Sequence, residues 1–440
     1  MMDLCSYAVS SGEKIGADEI EAVWVKEAAS TIEAELGEIS KASTVTNEAM
    51  KIRVIKDKAL GLVLTYRLDR NGIESAVEKA LAAASASKKD EKWDSLPAPG
   101  NYSHVEAWDP YMKEVDSEEL MGPVIESLQL VPKDIAVHIV GNQTILLEKC
   151  CANSSGIEHK DRGTVGLFGI AAVGKVDGGV TPAFQELSFY RKYSPDPNRI
   201  TEALIDKIYL FKKTEPASSG KFSIVLSPQA LESLLRHTLF KALSGENVAR
   251  GKTLLAGRTG EEIASSSLTL HDNGIIPEGI ASQEMDDEGV PCQDTPLIEE
   301  GVLQGFIWND YWAKRMGCAS TGNAHYNARD DEMVIQHTTM VITPGDLTEE
   351  ELFDIKDGYY VLDLQGAHGS NPESGDFSVV CTPAYRIRNG EITGGVGGMM
   401  LSDNVFSLIQ KIDAVGSEPE ILEHTIFPPV RFSDLNVAAK

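Results

Sequence analysis

A short segment rich in proline, serine and glycine divides the chain near its middle. It reads Lys212-Lys-Thr-Glu-Pro-Ala-Ser-Ser-Gly220, a composition that is typical of a connection between folding units. The length of 440 residues exceeds that of an ordinary single domain, which has about 100–200 residues. We therefore predict two domains, one over residues 1–214 and one over residues 215–440.

The N-terminal half mixes strand patterns with helix patterns. Residues 31–36 alternate apolar and acidic side chains, which predicts a strand with one buried and one wet face. Residues 50–55 and 59–66 are β-rich runs joined by a polar turn, the pattern of an antiparallel hairpin. The polar residues 85–110 are expected to form a long surface excursion. Between the hairpin and this excursion, an apolar stripe at helical spacing predicts a helix that packs across the sheet: Ile73, Ala76, Val77, Ala80, Leu81 and Ala84.

The C-terminal half is rich in glycine and in short strand patterns. One helix is predicted over residues 228–243, where Pro228 stands in the first turn and Gly245 follows the end. A second helix is predicted over residues 404–412. The fold class is therefore expected to be α+β, with a mixed α/antiparallel-β domain followed by a β-rich, glycine-rich domain.

The charge balance excludes several functions. The chain has 40 Lys and Arg against 67 Asp and Glu, a formal net charge of −27. Such a surface repels phosphate backbones and anionic lipids, so we predict neither nucleic-acid binding nor membrane binding. The sequence contains no apolar stretch of about 20 residues and no signal peptide pattern, which favours a cytoplasmic location. Six cysteines without a CxxC pair are expected to be buried, reduced thiols.

The helix predicted over residues 228–243 does not carry a zinc motif. Zinc binding by one helix needs two ligands one turn apart, with a glutamate beside them as general base. His237 stands alone here, because the next residue is Thr238 and one turn on lies Lys241, whose ammonium group repels a cation. We therefore predict that this helix binds no metal and that His237 lies at its surface or in a cleft.

Two other motifs were weighed against simpler structures. Gly251-Lys252 lacks the glycine five positions earlier that a phosphate-binding loop needs. The carboxylates of Asp286-Asp-Glu-Gly289 could bind Mg²⁺ or Ca²⁺, which prefer oxygen ligands. An acidic turn exposed to solvent is the commoner structure, and it is the one we predict for this segment.

Seven segments of the C-terminal half, taken in their order along the chain, form a recognisable pattern. They are Leu243–Lys252, Met285–Pro291, Leu297–Gly305, Ala319–Ala324, Ser374–Ser378, Arg388–Glu391 and Lys411–Gly416. Read together, these blocks resemble the TldD/PmbA family, and in particular its PmbA (TldE) branch. The N-terminal half fits more loosely, through Arg53–Gly61 and Asn153–Gly156, so the resemblance covers nearly the whole chain.

The resemblance implies a cytoplasmic, two-domain α+β protein that acts in proteolysis or peptide processing. In this family a TldD subunit and a TldE subunit form a metalloprotease complex, and zinc is held only by TldD, through an HExxxH helix and a later cysteine. Aligned on Leu243–Glu246, the His, Glu and His of that motif fall on Arg236, His237 and Lys241 of this chain, and no cysteine follows Cys381.

A TldE-like subunit without its own zinc site, cofactor or catalytic residue is therefore implied, with zinc in a TldD-type partner. Arg236, His237, Lys241 and Glu246 are expected at the cleft, in place of the lost motif. The expected partners are the zinc-bearing subunit and a peptide or unfolded polypeptide, and a homodimer of the chain alone stays open. The family is also called modulator of DNA gyrase. For so acidic a chain, any link to gyrase would run through proteolysis rather than DNA contact.

Two alternatives stay open at this point. The first is a stand-alone hydrolase or peptidase with a different site, in which His237 would act with the carboxylates of Asp286–Glu288. It requires those groups to meet within hydrogen-bond reach. The second is a non-enzymatic homodimer that binds peptides, which predicts a genome without a neighbouring TldD-type chain.

Overall fold

Long antiparallel strands dominate the N-terminal half of the molecule. The computed structural model describes residues 1–176, 178–277, 279–327 and 332–439. Up to residue 211 the elements are, in chain order, α1 (Met2–Lys14), β1 (Glu19–Glu35), β2 (Glu38–Lys56), β3 (Ala59–Thr65), α2 (Arg70–Ala86), a 3₁₀ turn (Pro110–Lys113), α3 (Ser117–Leu130), β4 (Ile135–Asn153), β5 (Glu158–Val176), β6 (Gly179–Val180), β7 (Phe184–Tyr190) and α4 (Pro197–Phe211).

These strands form one antiparallel sheet. Its order is β3-β2-β1-β4-β5, and β6 and β7 also pair with β5. The strand predicted over residues 31–36 is the end of β1, which has 17 residues. The predicted hairpin is confirmed as β2 and β3, which turn through Asp57 and Lys58, both with positive φ.

Helices cover one face of this sheet at both of its ends. Helices α1 and α2 pack on Ile20 and Trp24 of β1, and α3 and α4 pack on Ile32 further along the strand. Helix α2 lies close to β3 at Gly61, where a Cβ atom would come within 2.0 Å of the carbonyl oxygen of Ala80. Because neighbouring side chains of a strand point to opposite faces, the odd-numbered residues of β1 face away from these helices.

Short strands and short helices make up the C-terminal half. They are β8 (Thr214–Pro216), β9 (Gly220–Leu226), α5 (Pro228–His237), α6 (Leu239–Ala242), α7 (Gly245–Ala249), β10 (Leu270–Asn273), β11 (Asp294–Glu299), β12 (Val302–Leu303), α8 (Asp310–Met316), β13 (Ala324–Asn327), β14 (Glu332–Ile335), β15 (Met340–Ile342), α9 (Glu349–Leu352), β16 (Asp357–Val361), β17 (Leu364–Gln365), a 3₁₀ turn (Ala367–Gly369), β18 (Asp376–Cys381), β19 (Ala384–Arg388), β20 (Glu391–Gly397), β21 (Met399–Asn404), α10 (Val405–Leu408), a 3₁₀ turn (Ile409–Lys411), β22 (Ile412–Val415), β23 (Glu420–Ile421), β24 (Thr425–Phe427) and β25 (Val430–Ala439).

The described strands of this half form two sheets and a separate hairpin. The larger sheet runs β17-β18-β21-β25-β9-β16-β19-β20-β8, and β22 also pairs with β25. The smaller sheet runs β12-β11-β10-β15-β24-β23, and β13 pairs with β14 as a separate hairpin. The predicted α+β fold class is therefore confirmed, with a mixed half followed by a strand-rich half. Among the described helices, none is long and apolar enough to cross a bilayer.

The two halves share a hydrophobic core around α4. The ring of Phe211 lies 5.5 Å from that of Phe184 and 6.0 Å from that of Tyr385, and Val225 and Ile387 belong to the same cluster. The predicted linker is partly strand, because β8 pairs with β20 of the larger sheet. The division between residues 214 and 215 stays a prediction.

Residues 87–109 connect α2 to the following 3₁₀ turn and lie against the C-terminal half. The expected surface excursion is wrong in part, because Leu96 and Val105 are buried. The hydroxyl of Tyr311 donates a hydrogen bond to Asp90 at 2.6 Å, and the ammonium of Lys314 donates to the carbonyl oxygen of Leu96 at 3.1 Å. Hydrogen bonds from this segment therefore link α8 to the N-terminal half.

Candidate functional site

The helix predicted over residues 228–243 is present but broken. The Ser227 hydroxyl accepts a hydrogen bond from the backbone N–H of Ala230 at 3.1 Å and so caps α5. Helix α5 ends at His237, Thr238 leaves the helical conformation (φ −129°, ψ −86°), and α6 starts directly after it. The Thr238 hydroxyl donates to the carbonyl oxygen of Leu234 at 2.6 Å and satisfies one backbone group at the break.

The charges of Arg236 and Lys241 act on the same imidazole, although the helix break separates the two residues. Burial lowers the pKa of His337, and the charges of His424, Arg236 and Lys241 lower it further. The neutral form of this imidazole is therefore favoured.

The imidazole of His337 packs against two other rings beside the broken helix. Its ring centroid is 4.9 Å from that of Phe240 and 5.6 Å from that of His424. The Nε2 atom of His337 is buried and has no hydrogen-bond partner among the described residues. The Nδ1 atom of His424 lies 3.1 Å from the carbonyl oxygen of Thr338, to which it can donate.

Three of the four predicted cleft residues lie together at the helix break. Arg236 pairs through Nε with Glu232, one turn earlier in α5. Lys241 pairs with no carboxylate in the described part of the chain. Burial lowers the pKa of His237, and the charges of Arg236, Lys241 and His368 act in the same direction. The helix break therefore carries two cationic side chains, of which Arg236 is paired and Lys241 is exposed.

Glu246, the fourth predicted residue, belongs to the next short helix. It lies in the first turn of α7 and pairs with Arg250 at 2.9 Å, one turn later. The start of α7 is fixed against Trp308, since a Cβ atom on Gly245 would come within 2.0 Å of the indole ring. That the four residues line a peptide-binding cleft stays a prediction.

The side chains at the helix break do not fit zinc. Zinc in proteins takes thiolate, neutral imidazole and carboxylate ligands. Arg236 and Lys241 instead bring positive charge to the two positions that the HExxxH motif gives to histidine ligands. Within residues 1–176, 178–277, 279–327 and 332–439, no group of three or more His, Cys, Asp or Glu side chains is arranged to hold a metal ion.

A cavity of about 820 Å³ separates the N-terminal sheet from the C-terminal half. Its far wall carries His325, His337 and His424, so the imidazoles beside the broken helix open onto it. Six carboxylate side chains also line it: Glu27, Glu48, Glu148, Asp161, Asp287 and Glu423. The sheet contributes apolar side chains from the face that the helices leave free: Val25, Ile145, Leu147 and Val165.

The acidic turn at residues 286–289 is buried, so the prediction of an exposed turn is wrong. Asp286 and Glu288 are 1 % and 2 % exposed. The guanidinium of Arg53 bridges the halves, with Nη1 2.8 Å from Glu288 and Nη2 2.7 Å from Glu21. The ammonium of Lys149 lies 3.1 Å from the carboxylate of Asp287. We call this set of contacts the junction.

Register explains how the basic side chains reach the turn. Arg53 of β2 lies opposite Glu21 of β1, and Lys51 lies opposite Val23. Lys149 of β4 lies opposite Val25 on the other side of β1. These odd-numbered residues share the sheet face that the helices leave free, and there they meet the acidic turn.

Burial and charge act against each other at the junction. Burial and the neighbouring charge of Glu288 raise the pKa of Asp286, although its carboxylate accepts hydrogen bonds from the backbone N–H groups of Glu288, Val290 and Ala324. Burial alone would raise the pKa of Asp287, but the charge of Lys149 holds it well below its usual value. These carboxylates are engaged in structure, and none of the described hydrogen bonds joins them to His237.

Sequence reasoning missed His337 and His424. They come from separate loops of the C-terminal half, and no spacing in the sequence relates them to each other or to α5. The missed junction did leave a signal, because Lys51 and Arg53 occupy alternate positions in a run that was predicted to be one strand of a hairpin.

The fold and the site define a class of protein: a two-part α+β chain with an interdomain cavity beside a broken, cation-bearing helix. A family model described as the PmbA/TldA metallopeptidase C-terminal domain matches residues 219–439. A second, described as PmbA/TldA metallopeptidase domain 1, matches residues 20–84. The chain belongs to the PmbA/TldD family.

Full-length relatives carry different descriptions. An uncharacterized protein of Methanocaldococcus jannaschii is 28 % identical over 416 residues, which cover 93 % of this chain and 94 % of the relative. A protein of Saccharolobus solfataricus described as a zinc metalloprotease TldD homolog is 24 % identical over 379 residues, 84 % of this chain and 83 % of the relative.

A solved structure extends the similarity to the whole fold. The crystal structure of TldE from Thermococcus kodakarensis has a TM-score of 0.94 and 31 % identity, and the alignment covers 99 % of this chain and 100 % of that one. A putative modulator of a DNA gyrase from Thermotoga maritima has the same fold, with a TM-score of 0.91 at 23 % identity over 99 % of both chains.

Proposed function

We propose that this chain is the TldE-like, metal-free subunit of a cytoplasmic TldD/TldE-type metalloprotease complex. In this proposal a TldD-type partner holds the zinc, and this chain supplies cleft wall and dimer interface. The complex acts on peptides or unfolded polypeptides. The chain has no catalytic residue of its own.

One observation carries the proposal. Helices α5 and α6 occupy the place that the resemblance gives to the zinc helix of a TldD-type subunit, but the two histidine positions hold Arg236 and Lys241. An arginine and a lysine at these positions repel a metal ion and provide neither an imidazole nor a general base. A whole-chain similarity to a structure titled TldE supports the same assignment.

The cavity supports a peptide ligand. It offers apolar side chains from the sheet together with many charged and polar groups from both halves, which can hydrogen-bond a peptide backbone. An extended segment of a few residues fits within about 820 Å³. The stand-alone hydrolase finds less support, because the carboxylates of Asp286 and Glu288 are buried in the junction and bonded there.

Co-expression with a TldD-type chain from the same genome tests this proposal. We expect the two chains to co-purify, and we expect an unfolded polypeptide to be cleaved by the pair and not by this chain alone. A matched control is the same pair with the HExxxH glutamate of the partner replaced by glutamine, which should assemble without cleaving.

Two results would overturn the proposal. Cleavage by this chain alone, after purification from cells without the partner, would favour the stand-alone hydrolase. Failure of the two chains to associate, together with a stable homodimer that binds peptides, would favour the non-enzymatic alternative.

A further inference from the structure

The outer edge of strand β2 is covered over only part of its length. Strand β3 pairs with residues 50–56 of β2, and β1 pairs with β2 along its other edge. Among the described strands, none pairs with residues 42–48 on the side away from β1. We call residues 42–48 the free edge. It reaches the interdomain cavity, which is lined by Asn47, Glu48 and Ala49.

The hairpin geometry shows which backbone groups point out of the free edge. The two-residue turn between β2 and β3 makes Lys56 and Ala59 a hydrogen-bonded pair, so the N–H and C=O of Lys56 point toward β3. This direction alternates along an antiparallel strand. Accordingly, the carbonyl oxygen of Ile55 points the other way and accepts from the N–H of Asp18 at 3.0 Å. The residues that direct N–H and C=O out of the free edge are therefore Ala42, Thr44, Thr46 and Glu48.

The free edge has few of the features that usually prevent strand pairing. Proteins block an exposed edge with proline, with charged side chains, with a bulge or with a covering element. The bulge of β2 lies opposite Glu33 and Ala34, next to Lys41, and so precedes the free edge. Residues 42–47 contain no proline and no charged side chain, and most of them are exposed. A stretch of this composition is open to pairing with another strand.

The limits of the free edge place its centre at Val45. On one side lies the bulge at Ser40, and on the other lies Met50, which pairs with Thr65 of β3. Val45 is midway between them, and its side chain is 51 % exposed. An incoming antiparallel strand of the same sequence would therefore fill the gap when its own Val45 lies opposite this one.

A second copy of this strand matches the free edge in hydrogen bonding and in charge. With Val45 on a two-fold axis, Ala42 lies opposite Glu48 of the other copy, and Thr44 lies opposite Thr46. All four residues direct their backbone groups outward, so about eight N–H···O=C bonds form. Because residues 42–47 are uncharged, the two strands meet without the repulsion expected elsewhere between chains of net charge −27.

We propose that two copies of this chain, in the absence of another subunit, form a dimer through their free edges, with Val45 on the two-fold axis. The two N-terminal sheets then continue into one antiparallel sheet. The two valine side chains pack against each other, as β-branched residues do in cross-strand pairs. This inference concerns the chain alone and does not depend on the function proposed above.

Sedimentation equilibrium of the purified full chain provides the test. Between about 1 µM and about 100 µM, we expect the average mass to rise toward twice that of one chain. Thr44→Pro should remain monomeric at the highest concentration, because proline removes an outward N–H and is tolerated on an edge strand. Thr44→Lys is a second variant. It keeps the backbone donor but places two like charges about 7–8 Å apart across the axis, which should weaken the dimer at least tenfold.

Ser30→Lys provides the matched control. Ser30 of β1 lies opposite Thr44, so a lysine there adds the same charge to the same sheet face, one strand away from the free edge. This variant should dimerise like the unaltered chain. Urea unfolding of all variants checks that the sheet is intact, and equal loss of the dimer in Ser30→Lys and Thr44→Lys would overturn the assignment to the edge.

Hydrogen exchange tests the same contact in the unaltered chain. The outward amides of Thr44 and Thr46 should exchange at least tenfold more slowly in the dimer than in the monomer. The amides of Ser43 and Val45 point toward β1, so their exchange should not depend on concentration. Unchanged exchange at Thr44 and Thr46 in a dimer would show that another surface is used.

The remaining outcomes also decide the proposal. It would be wrong if the unaltered chain stayed monomeric throughout, or if the dimer persisted in both Thr44 variants. A monomeric chain whose Thr44→Pro variant no longer bound a zinc subunit or a peptide would assign the edge to that partner instead. The proposed function is judged separately, by co-purification with a TldD-type chain.

Discussion

The junction and the helix break use the same types of charged residue in opposite ways. At the junction, Arg53 and Lys149 are nearly excluded from solvent, and each has a carboxylate within about 3 Å. At the helix break, Lys241 is exposed and pairs with no carboxylate among the described residues. The junction therefore balances its charges within the protein, whereas the helix break leaves one cation exposed to solvent.

This difference separates structure from function within one fold. A buried charge must be paired, because removing an ion from water without a partner is very costly. The junction is therefore expected to hold the two halves together whatever the chain binds. The charges at the helix break are exposed, so they are expected to contribute little to stability.

The largest effect is expected from Arg53→Met, which leaves Glu21 and Glu288 buried without their common partner. Breaking a buried ion pair from one side typically costs about 3–5 kcal/mol. Urea unfolding should show a loss of this size. Arg258→Met is the control, because the pair of Arg258 with Glu261 is exposed and should contribute less than about 1 kcal/mol. Equal losses in the two variants would contradict the contrast between buried and exposed pairs.

A second change at the junction is Lys149→Met. The ammonium of Lys149 also donates to Gln283 at 3.0 Å and to the carbonyl oxygen of Met285 at 2.8 Å. We expect a loss of about 2–4 kcal/mol in the free energy of unfolding. In a double-mutant cycle with Asp287→Asn, a coupling above about 1 kcal/mol is expected. Strict additivity would show that the two side chains do not interact.

The third prediction concerns pH. Burial raises the pKa of Asp310, at the start of α8, from 3.8 to about 6, although Lys314 pairs with it. The folded state therefore binds this proton more tightly than the unfolded state. Its stabilising effect is complete below pH 3.8 and is lost as the pH rises through about 6.

Asp310→Asn should remove that pH dependence. Between pH 4 and pH 7, the unfolding free energy of the unaltered chain should fall by about 2 kcal/mol relative to the variant. Urea unfolding of both proteins across this range provides the measurement. A difference that is constant with pH, or that changes in the opposite direction, would contradict the raised pKa.

The smallest effect on stability is expected at the helix break. Arg236→Gln and Lys241→Gln should each change the unfolding free energy by less than about 0.5 kcal/mol, because exposed charges contribute little. Thermal unfolding is sufficient to check this. A loss of several kcal/mol would mean that these cations are structural, and the contrast with the junction would fail.

Local patterns predicted the elements whose residues lie next to one another in the chain. The hairpin of β2 and β3 and the apolar stripe of α2 both follow from spacing within a few residues. The helix break at Thr238 was not predicted, because its surroundings have no glycine or internal proline to indicate it. The residues at positions 236, 237 and 241 are read directly from the sequence, and that this helix binds no zinc stays a prediction.

Contacts between distant segments could not be predicted. Arg53 and Glu288 are 235 residues apart, and neither segment contains a sequence pattern that identifies the other as its partner. An acidic turn closed by a glycine is usually exposed, and only the basic residues on β2 and β4 make its burial possible. The contact between His337 and His424 was not predicted for the same reason, because neither histidine belongs to a motif within its own loop.

The zinc content of the purified chain tests the account most directly. The protein would be purified without chelators or added metal, and zinc per chain would be measured by elemental analysis, with a TldD-type partner prepared in the same way as the positive control. We predict far less than one zinc per chain for this protein and close to one for the partner. Tightly bound zinc near one per chain in this protein would contradict the account, because Arg236 and Lys241 would then not have replaced a metal site.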